Sequence, residues 1–203
     1  YEKVRTADAP QAIVLPCGRA VDCELRDGDL AWQDFLSDRT DFRAVPRDPS
    51  DVSTILFSSG TSGAPKAIPW DQTTPIKSAI DAHLHHDIHP GDVLCWPTNM
   101  GWMMGPWLVH AALMNKATLA LFYGVPTSRE FGQFVQDAGV TMLGLVPSLV
   151  SAWRSTGCLD GLDWSAIRVF SSTGECSNPQ DMLFLMSRAG YKPIIEYCGG
   201  TEI

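Results

Sequence analysis

From residue 51 onward the sequence alternates between two kinds of segment, and this alternation limits the fold more than any other feature. Apolar runs at 93–96, 117–122, 140–145, 167–170 and 193–197 each have the length of a buried strand. Between them, stretches near 107–114, 128–138, 147–155 and 179–188 carry helical spacing. The pattern predicts an α/β fold, a predominantly parallel sheet with helices on both faces. A further helix is expected over 74–86, with Thr74 as its cap and Pro75 as its first-turn proline. The beginning of the chain reads differently. Pro10, Pro16, Pro46 and Pro49 punctuate it, and only 30–36 forms an amphipathic patch. Residues 1–50 are therefore expected to be an irregular peripheral segment, and 51–203 the organised domain.

Composition excludes several classes of function. A chain of 203 residues can bury roughly 70% of its unfolded surface in one core. With 45% hydrophobic and 19% charged residues it is neither disordered nor membrane-like. A formal charge of −8 makes a nucleic-acid backbone a poor partner. No stretch approaches 18 uninterrupted apolar residues, and the first residues lack a secretory pattern, so neither a membrane span nor export is expected. The six cysteines, Cys17, Cys23, Cys95, Cys158, Cys176 and Cys198, form no C-x-x-C pair. A reducing, intracellular location, cytoplasmic or peroxisomal, is the simpler reading.

Residues 55–66 read Ile-Leu-Phe-Ser-Ser-Gly-Thr-Ser-Gly-Ala-Pro-Lys, an apolar strand opening into a hydroxyl-rich loop that closes on a lysine. Gly60 and Gly63 let backbone N–H groups turn toward one point, Ser58, Ser59, Thr61 and Ser62 add hydroxyl donors, and Lys66 adds a mobile charge. Two readings fit the loop alone: a polyphosphate cradle, in which each charged hydrogen bond is worth roughly 1.5–3 kcal/mol, or a Gly/Ser surface turn. It is not a Walker loop, because Gly60 and Gly63 enclose only Thr61 and Ser62 and Lys66 follows Pro65. Nor is it a Gly-x-Ser-x-Gly elbow, being one residue short.

Taken whole, Ser58 to Lys66 resembles the phosphate loop of the adenylate-forming acyl-activating enzymes, with Ala67 in place of the family's last glycine. Thr173-Gly174-Glu175 with Asn178-Pro179 is similar to the family's Gly-Glu-Pro segment, and Cys198-Gly199-Gly200-Thr201-Glu202 to its Tyr-Gly-x-Thr-Glu motif. Asn99-Met100-Gly101-Trp102, after Cys95-Trp96, resembles the acetyl-CoA-synthetase branch. The three main motifs occur in family order across about residues 50–203. The resemblance implies part of the large N-terminal domain of such an enzyme, an AMP-forming acyl-CoA synthetase in which 51–203 is a partial adenylation domain and the mobile C-terminal domain is absent.

That family activates a carboxylic acid on ATP, releasing pyrophosphate, and passes the acyl group to CoA. A carboxylate is already ionised at pH 7, so adenylation needs charge neutralisation and alignment rather than a general base. By resemblance, Ser58, Ser59, Gly60, Thr61, Ser62, Gly63 and Lys66 would hold the β- and γ-phosphates, Thr201 would touch the α-phosphate, and Glu202 would hold Mg²⁺. Gly174, Glu175 and Cys176 would lie along the adenine through backbone contacts, with Glu196, Tyr197, Cys198, Gly199 and Gly200 nearby. Trp102, Met103, Met104, Thr173 and Gly199 match positions lining the acid pocket, although methionines are as commonly core packing. Gly199 stands where acetate-specific members place a tryptophan, which implies an acid larger than acetate. Cys176 and Cys198 replace the usual Pro and Tyr and are expected to be small fillers or, failing that, redox-sensitive thiols. Lys77 reads as a solvated helix charge. His85 and His89 are placed on one face of a helix ended by Pro90-Gly91, as dipole-favourable histidines rather than zinc ligands. A central fragment of a synthetase, weak or inactive alone, is expected. A non-catalytic nucleotide-binding or regulatory module and a fragment without affinity are the alternatives. The acid's identity and the oligomeric state are left open.

Overall fold

The computed structural model of the protein describes residues 1–7, 9–16, 20–58 and 63–201. Its contacts divide the chain into two compact units, Tyr1–Pro46 and Arg47–Ile203. The first holds four short elements, α1 (Glu2–Thr6), β1 (Ile13–Val14), β2 (Leu30–Ala31) and α2 (Trp32–Phe35), and none of them contains a buried residue. The amphipathic patch at 30–36 thus becomes β2 and α2, and β1 pairs with β2 in parallel. Asp29 ties this unit together, accepting from Arg26 Nε at 2.9 Å, from the Ala12 amide at 2.8 Å and from the Tyr1 hydroxyl. Arg26, followed by Tyr1 and the Ala12 amide, holds the Asp29 carboxyl well below the usual carboxylate range.

The second unit opens with an antiparallel hairpin of β3 (Val52–Ser58) and β4 (Lys66–Asp71), in which Leu56 faces Ile68, Phe57 faces Ala67 and Ser58 faces Lys66. Then come α3 (Thr74–His86), β5 (Val93–Cys95), α4 (Met104–Met114), β6 (Thr118–Ala120), α5 (Arg129–Asp137), β7 (Met142–Leu145), α6 (Pro147–Thr156), β8 (Val169–Ser172), α7 (Pro179–Ser187) and β9 (Ile194–Glu196). Strands β5 to β9 form one parallel sheet in the order β6-β5-β7-β8-β9. The expected α/β fold is present. Each strand sits inside its apolar run and is shorter than it, except β8, which begins and ends two residues later than the run at 167–170.

Helices cover both faces because the strands alternate their side chains between them. Leu94, Met142, Val169 and Ile195 pack with Ala82 of α3 and with Trp107, Leu108 and Ala111 of α4. On the other face Cys95, Leu143, Leu145, Phe170 and Ile194 pack with Phe131 of α5, Trp153 of α6 and Leu185 of α7. Phe131, Trp153 and Phe170 are fully buried, and burial of a side chain of that kind contributes on the order of 1.5–3 kcal/mol. Burial pushes the Cys95 thiol up to about 12.

Two of the helix starts are capped by a local side chain. Ser128 caps α5 by accepting from the Phe131 amide, and Asn178 caps α7 by accepting from the amides of Gln180 and Asp181. At α3 the cap position falls on Thr73 rather than the expected Thr74, because Asp71 accepts from the Thr73 amide at 2.8 Å and draws the preceding turn tight. Helix α6 has Val146 at its cap position, a residue whose side chain has no acceptor to offer.

Two topological facts fix where a ligand can sit. Strand β6 lies on one side of β5 and β7 on the other, with α4 and α5 on opposite faces, so the order reverses between β5 and β7 and leaves a crevice at their carboxyl ends. The hairpin is a sheet of its own. Only seven residues, 59–65, join β3 to β4, too few for a crossover to a parallel strand.

Candidate functional site

The loops leaving β5, β7, β8 and β9 line a cavity of about 320 Å³. Trp96 and Thr98 come from the first loop, Val146 from the second, Thr173, Gly174 and Glu175 from the third, and Gly199, Gly200 and Thr201 from the fourth. Phe57, next to the last residue of β3, closes the wall from the hairpin, and Trp102, Met103 and Met104 lead into α4. The hairpin is fastened here as well, because Trp70 Nε1 on β4 donates to the Thr201 carbonyl at 3.1 Å. Three stretches far apart in sequence, those before Ser59, around Glu175 and before Glu202, thus reach one cavity.

Each loop is held by identifiable bonds. The Thr173 hydroxyl donates to the Tyr197 carbonyl and the Tyr197 amide to the Ser172 carbonyl at 2.8 Å, joining the ends of β8 and β9. Gly174 has φ +88°, a conformation that side chains resist, and it lets the chain turn over Val146. Trp96 lies flat on β7, where a Cβ on Gly144 would stand 1.9 Å from the indole; only glycine admits the ring.

A second cavity of about 610 Å³ shares Met103, Gly199 and Thr201 with the first. Its walls are Trp70 of β4, Lys77, Ser78 and Asp81 of α3, Trp107 of α4, and Tyr197 with Cys198. Asp81 is 6% exposed. It pairs with Lys77 and lies 3.5 Å from the Tyr197 hydroxyl. Burial, then the Asp81 charge, raises the Tyr197 pKa. Behind Tyr197, His86 is fully buried against Trp107 and bonds Ser171 Oγ through Nε2 at 2.9 Å. Burial pushes the His86 pKa down, so the ring is neutral at pH 7.

Of the residues singled out from the sequence, Trp102, Met103, Met104, Thr173, Gly174, Glu175, Gly199, Gly200 and Thr201 line the first cavity, and Tyr197 and Cys198 the second. Met104 also packs in the core, so pocket and packing are not alternatives there. Ser58 and Lys66 flank the hairpin loop and Gly63 lies within it; like Cys176 and Glu196, they line neither cavity. Ser59, Gly60, Thr61, Ser62 and Glu202 lie outside the described residues.

Two expectations are corrected. Cys176 and Cys198 are exposed rather than fillers, because the loops carrying them run over the surface beyond β8 and β9. His89 is not on α3, which ends at His86 with Asp87 in the left-handed region (φ 54°); His89 pairs instead with Asp87 at 2.8 Å. Lys77 is the expected solvated helix charge, its side chain 69% exposed on α3, and it also pairs with Asp81 at the second cavity. Among the described residues no group of three or more His, Cys, Asp or Glu side chains is placed to hold a metal ion. Phe57, Trp96, Val146, Asp81 and Trp107 were missed. Phe57 and Trp96 border the quoted motifs and Asp81 stands i, i+4 from Lys77; Val146 and Trp107 carry no sequence signal.

Residues 5–203 match the model of the AMP-binding enzyme family. The chain belongs to the AMP-binding enzymes. Within that family it is AMP-forming acyl-CoA-synthetase-like. It is 56% identical to a hexanoyl-CoA synthase of Cannabis sativa over 209 aligned positions, which take in all of this chain and 29% of that protein. It is 52% identical to a probable peroxisomal acyl-activating enzyme 17 of Arabidopsis thaliana, again with full coverage of this chain and 29% of the relative. Acetyl-coenzyme A synthetase of Escherichia coli K12 is 29% identical over 86% of this chain and 28% of its own length. Among solved structures, acetoacetyl-CoA synthetase from Streptomyces lividans superposes with a TM-score of 0.82 at 28% identity, covering 98% of this chain and 32% of that one. This AMP-binding chain thus spans about 29% of the length of the curated relatives it matches. The match begins at residue 5, well before the first motif of the resemblance.

Proposed function

We propose that the chain is part of the adenylation domain of a longer acyl-CoA synthetase, an acid-thiol ligase that joins a carboxylic acid to the α-phosphate of ATP, releases pyrophosphate, and transfers the acyl group to CoA. The observation that carries this reading is the first cavity, which Phe57 of β3, Thr173 to Glu175 and Gly199 to Thr201 line together. A nucleotide with its base along Gly174 to Cys176 and its α-phosphate at Thr201 would direct its outer phosphates toward Ser58 and Lys66, which face each other at the base of the hairpin loop. The reacting carboxylate needs no base. Lys66 and the hydroxyls of the loop would offset phosphate charge, and the cavity would hold the acid in line with the α-phosphate. A magnesium ion, when bound, would neutralise phosphate charge, and Glu202 is the residue the family resemblance gives it.

The acid would be larger than acetate. Gly199 sits where the two cavities meet and has no side chain to divide them, so an alkyl tail could pass from one to the other. The likeness to a hexanoyl-CoA synthase favours the same reading. An intracellular enzyme, cytoplasmic or, like the probable acyl-activating enzymes of Arabidopsis thaliana, peroxisomal, accords with it.

Calorimetric titration of the chain with ATP tests the nucleotide site: binding that Lys66→Ala weakens at least tenfold is expected, and no binding refutes it. Acid-dependent exchange of pyrophosphate into ATP by the complete enzyme tests the chemistry. Tight ATP binding without exchange on any carboxylic acid would turn the assignment to a non-catalytic nucleotide-binding module.

A further inference from the structure

The first turn of α6 has donors and no local side-chain acceptor. Its cap position is Val146, and α6 makes no side-chain cap bond of its own, unlike α5 and α7. The missing acceptor arrives from 27 residues away: Glu175 Oε2 accepts from the Ser148 amide at 2.8 Å and Oε1 from the Ser148 hydroxyl at 3.0 Å. Both carboxylate oxygens are thus committed to one residue at the positive end of a ten-residue helix, an arrangement favoured by the helix dipole and by charge-assisted bonding. Glu175 follows Gly174, whose φ of +88° gives the loop a shape that its own backbone preference does not enforce.

We infer that the Glu175 side chain is a positioning residue: by capping α6 across the mouth between β7 and β8, it fixes the backbone of Gly174 to Cys176 at the cavity wall. A second consequence follows from the same bonds. The helix N-terminus beside an open α/β crevice is a ready anion site, and here the protein's own carboxylate occupies it. Nucleotide phosphates are thereby turned away from α6 and toward the hairpin loop. The role in nucleotide binding rests on the proposed adenylation function; the clamp itself does not.

Two measurements separate these. Amide hydrogen exchange of the chain reads the clamp directly: Glu175→Ala should speed exchange at Ser148, whose amide donates to Glu175, about tenfold or more, while Glu175→Gln, which can still accept from the amide and donate to the hydroxyl, should restore most of the protection. Unchanged exchange in Glu175→Ala overturns the inference. In the complete enzyme Glu175→Ala should raise the KM for ATP about tenfold with kcat within about twofold, Glu175→Gln should recover most of it, and Ser148→Ala combined with Glu175→Ala should be no worse than Glu175→Ala alone. Equal falls in kcat and kcat/KM, or additive effects of the two substitutions, would also overturn it. Failure of the wild-type chain to bind ATP would instead sink the adenylation reading and leave the exchange result to decide the clamp.

Discussion

At the scale of single residues, Gly199 and His86 govern the site in opposite ways, one by an absent side chain and one by a buried ring. A Cβ on Gly199 would lie 3.5 Å from Tyr197 Cε1 and 3.6 Å from Met103 Cε, which is ordinary contact. Gly199→Ala should therefore fold normally, whereas in Gly199→Trp the indole must enter the space where the two cavities join. Acids with longer tails should lose that space. The ratio of kcat/KM for hexanoate over acetate in the complete enzyme is expected to fall about a hundredfold in Gly199→Trp, and an unchanged ratio would show that the tail does not pass this point. His86 acts through protonation. Burial holds its pKa below the ordinary 6.5, and burial also lowers that of His110 on α4. A depressed histidine favours the folded state fully above pH 6.5 and loses that contribution as pH falls from 6.5 through the folded-state value, by up to about 1.4 kcal/mol per pH unit for each group. Urea midpoints should thus drop between pH 7 and pH 5, and the drop should be shallower in His86→Gln because one of the two protonations no longer opposes folding.

At the scale of elements, the amino ends of the sheet are tied by one charged knot. Asp92, 7% exposed, accepts from Arg168 at 2.6 Å, from the Thr141 hydroxyl at 2.8 Å and from the His89 amide at 2.7 Å, linking the segments that enter β5, β7 and β8. Burial opposes the Asp92 charge, yet these donors outweigh it and hold the pKa below the usual range. Arg168→Met would leave that carboxylate short of its cation; because the Arg168 side chain is 39% exposed and the other two donors remain, the loss should be about 1–3 kcal/mol, read as a shift in the urea midpoint with little change in slope. The strands so tied were legible because five short apolar runs with helical intervals admit few arrangements other than a covered parallel sheet. The hairpin was less so. Ile55 to Phe57 look like any buried strand by composition, although Ile55 is 54% and Phe57 63% exposed, and only the short connection to Lys66 tells hairpin from crossover. The cap of α6 was not legible at all: Val146-Pro147 announces a helix start without an acceptor, and nothing local indicates that Glu175 will supply it. The motifs located the first cavity, but the second depends on which face of α3 turns toward Tyr197, a matter of packing that no motif encodes.

At the scale of the whole molecule, burial is distributed very unevenly along the chain. Every buried hydrophobic side chain among the described residues lies at Leu56 or later, and the two core clusters belong entirely to the unit Arg47–Ile203. Residues 32–50 are all exposed, and 36–48 have no regular structure. Arg39, Arg43 and Arg47 fall in this stretch, and the only ion pair among them, Arg39 with Asp41, is local and exposed. Protease access requires a segment of backbone to leave its hydrogen bonds, and here few exist to leave. Limited trypsin digestion should therefore cut first at these three arginines and yield a resistant product that begins near Asp48. Elsewhere, Arg129, Arg154 and Arg168 lie on or beside packed helices and strands, and cleavage there must wait for opening of the core. The resistant product should keep the urea midpoint of the intact chain to within about 1 kcal/mol of stability, since it retains the whole of both core clusters. Early cleavage at Arg154 or Arg168, or collapse of the product on loss of the residues before Asp48, would mean that the sheet and its helices depend on the leading unit for their stability.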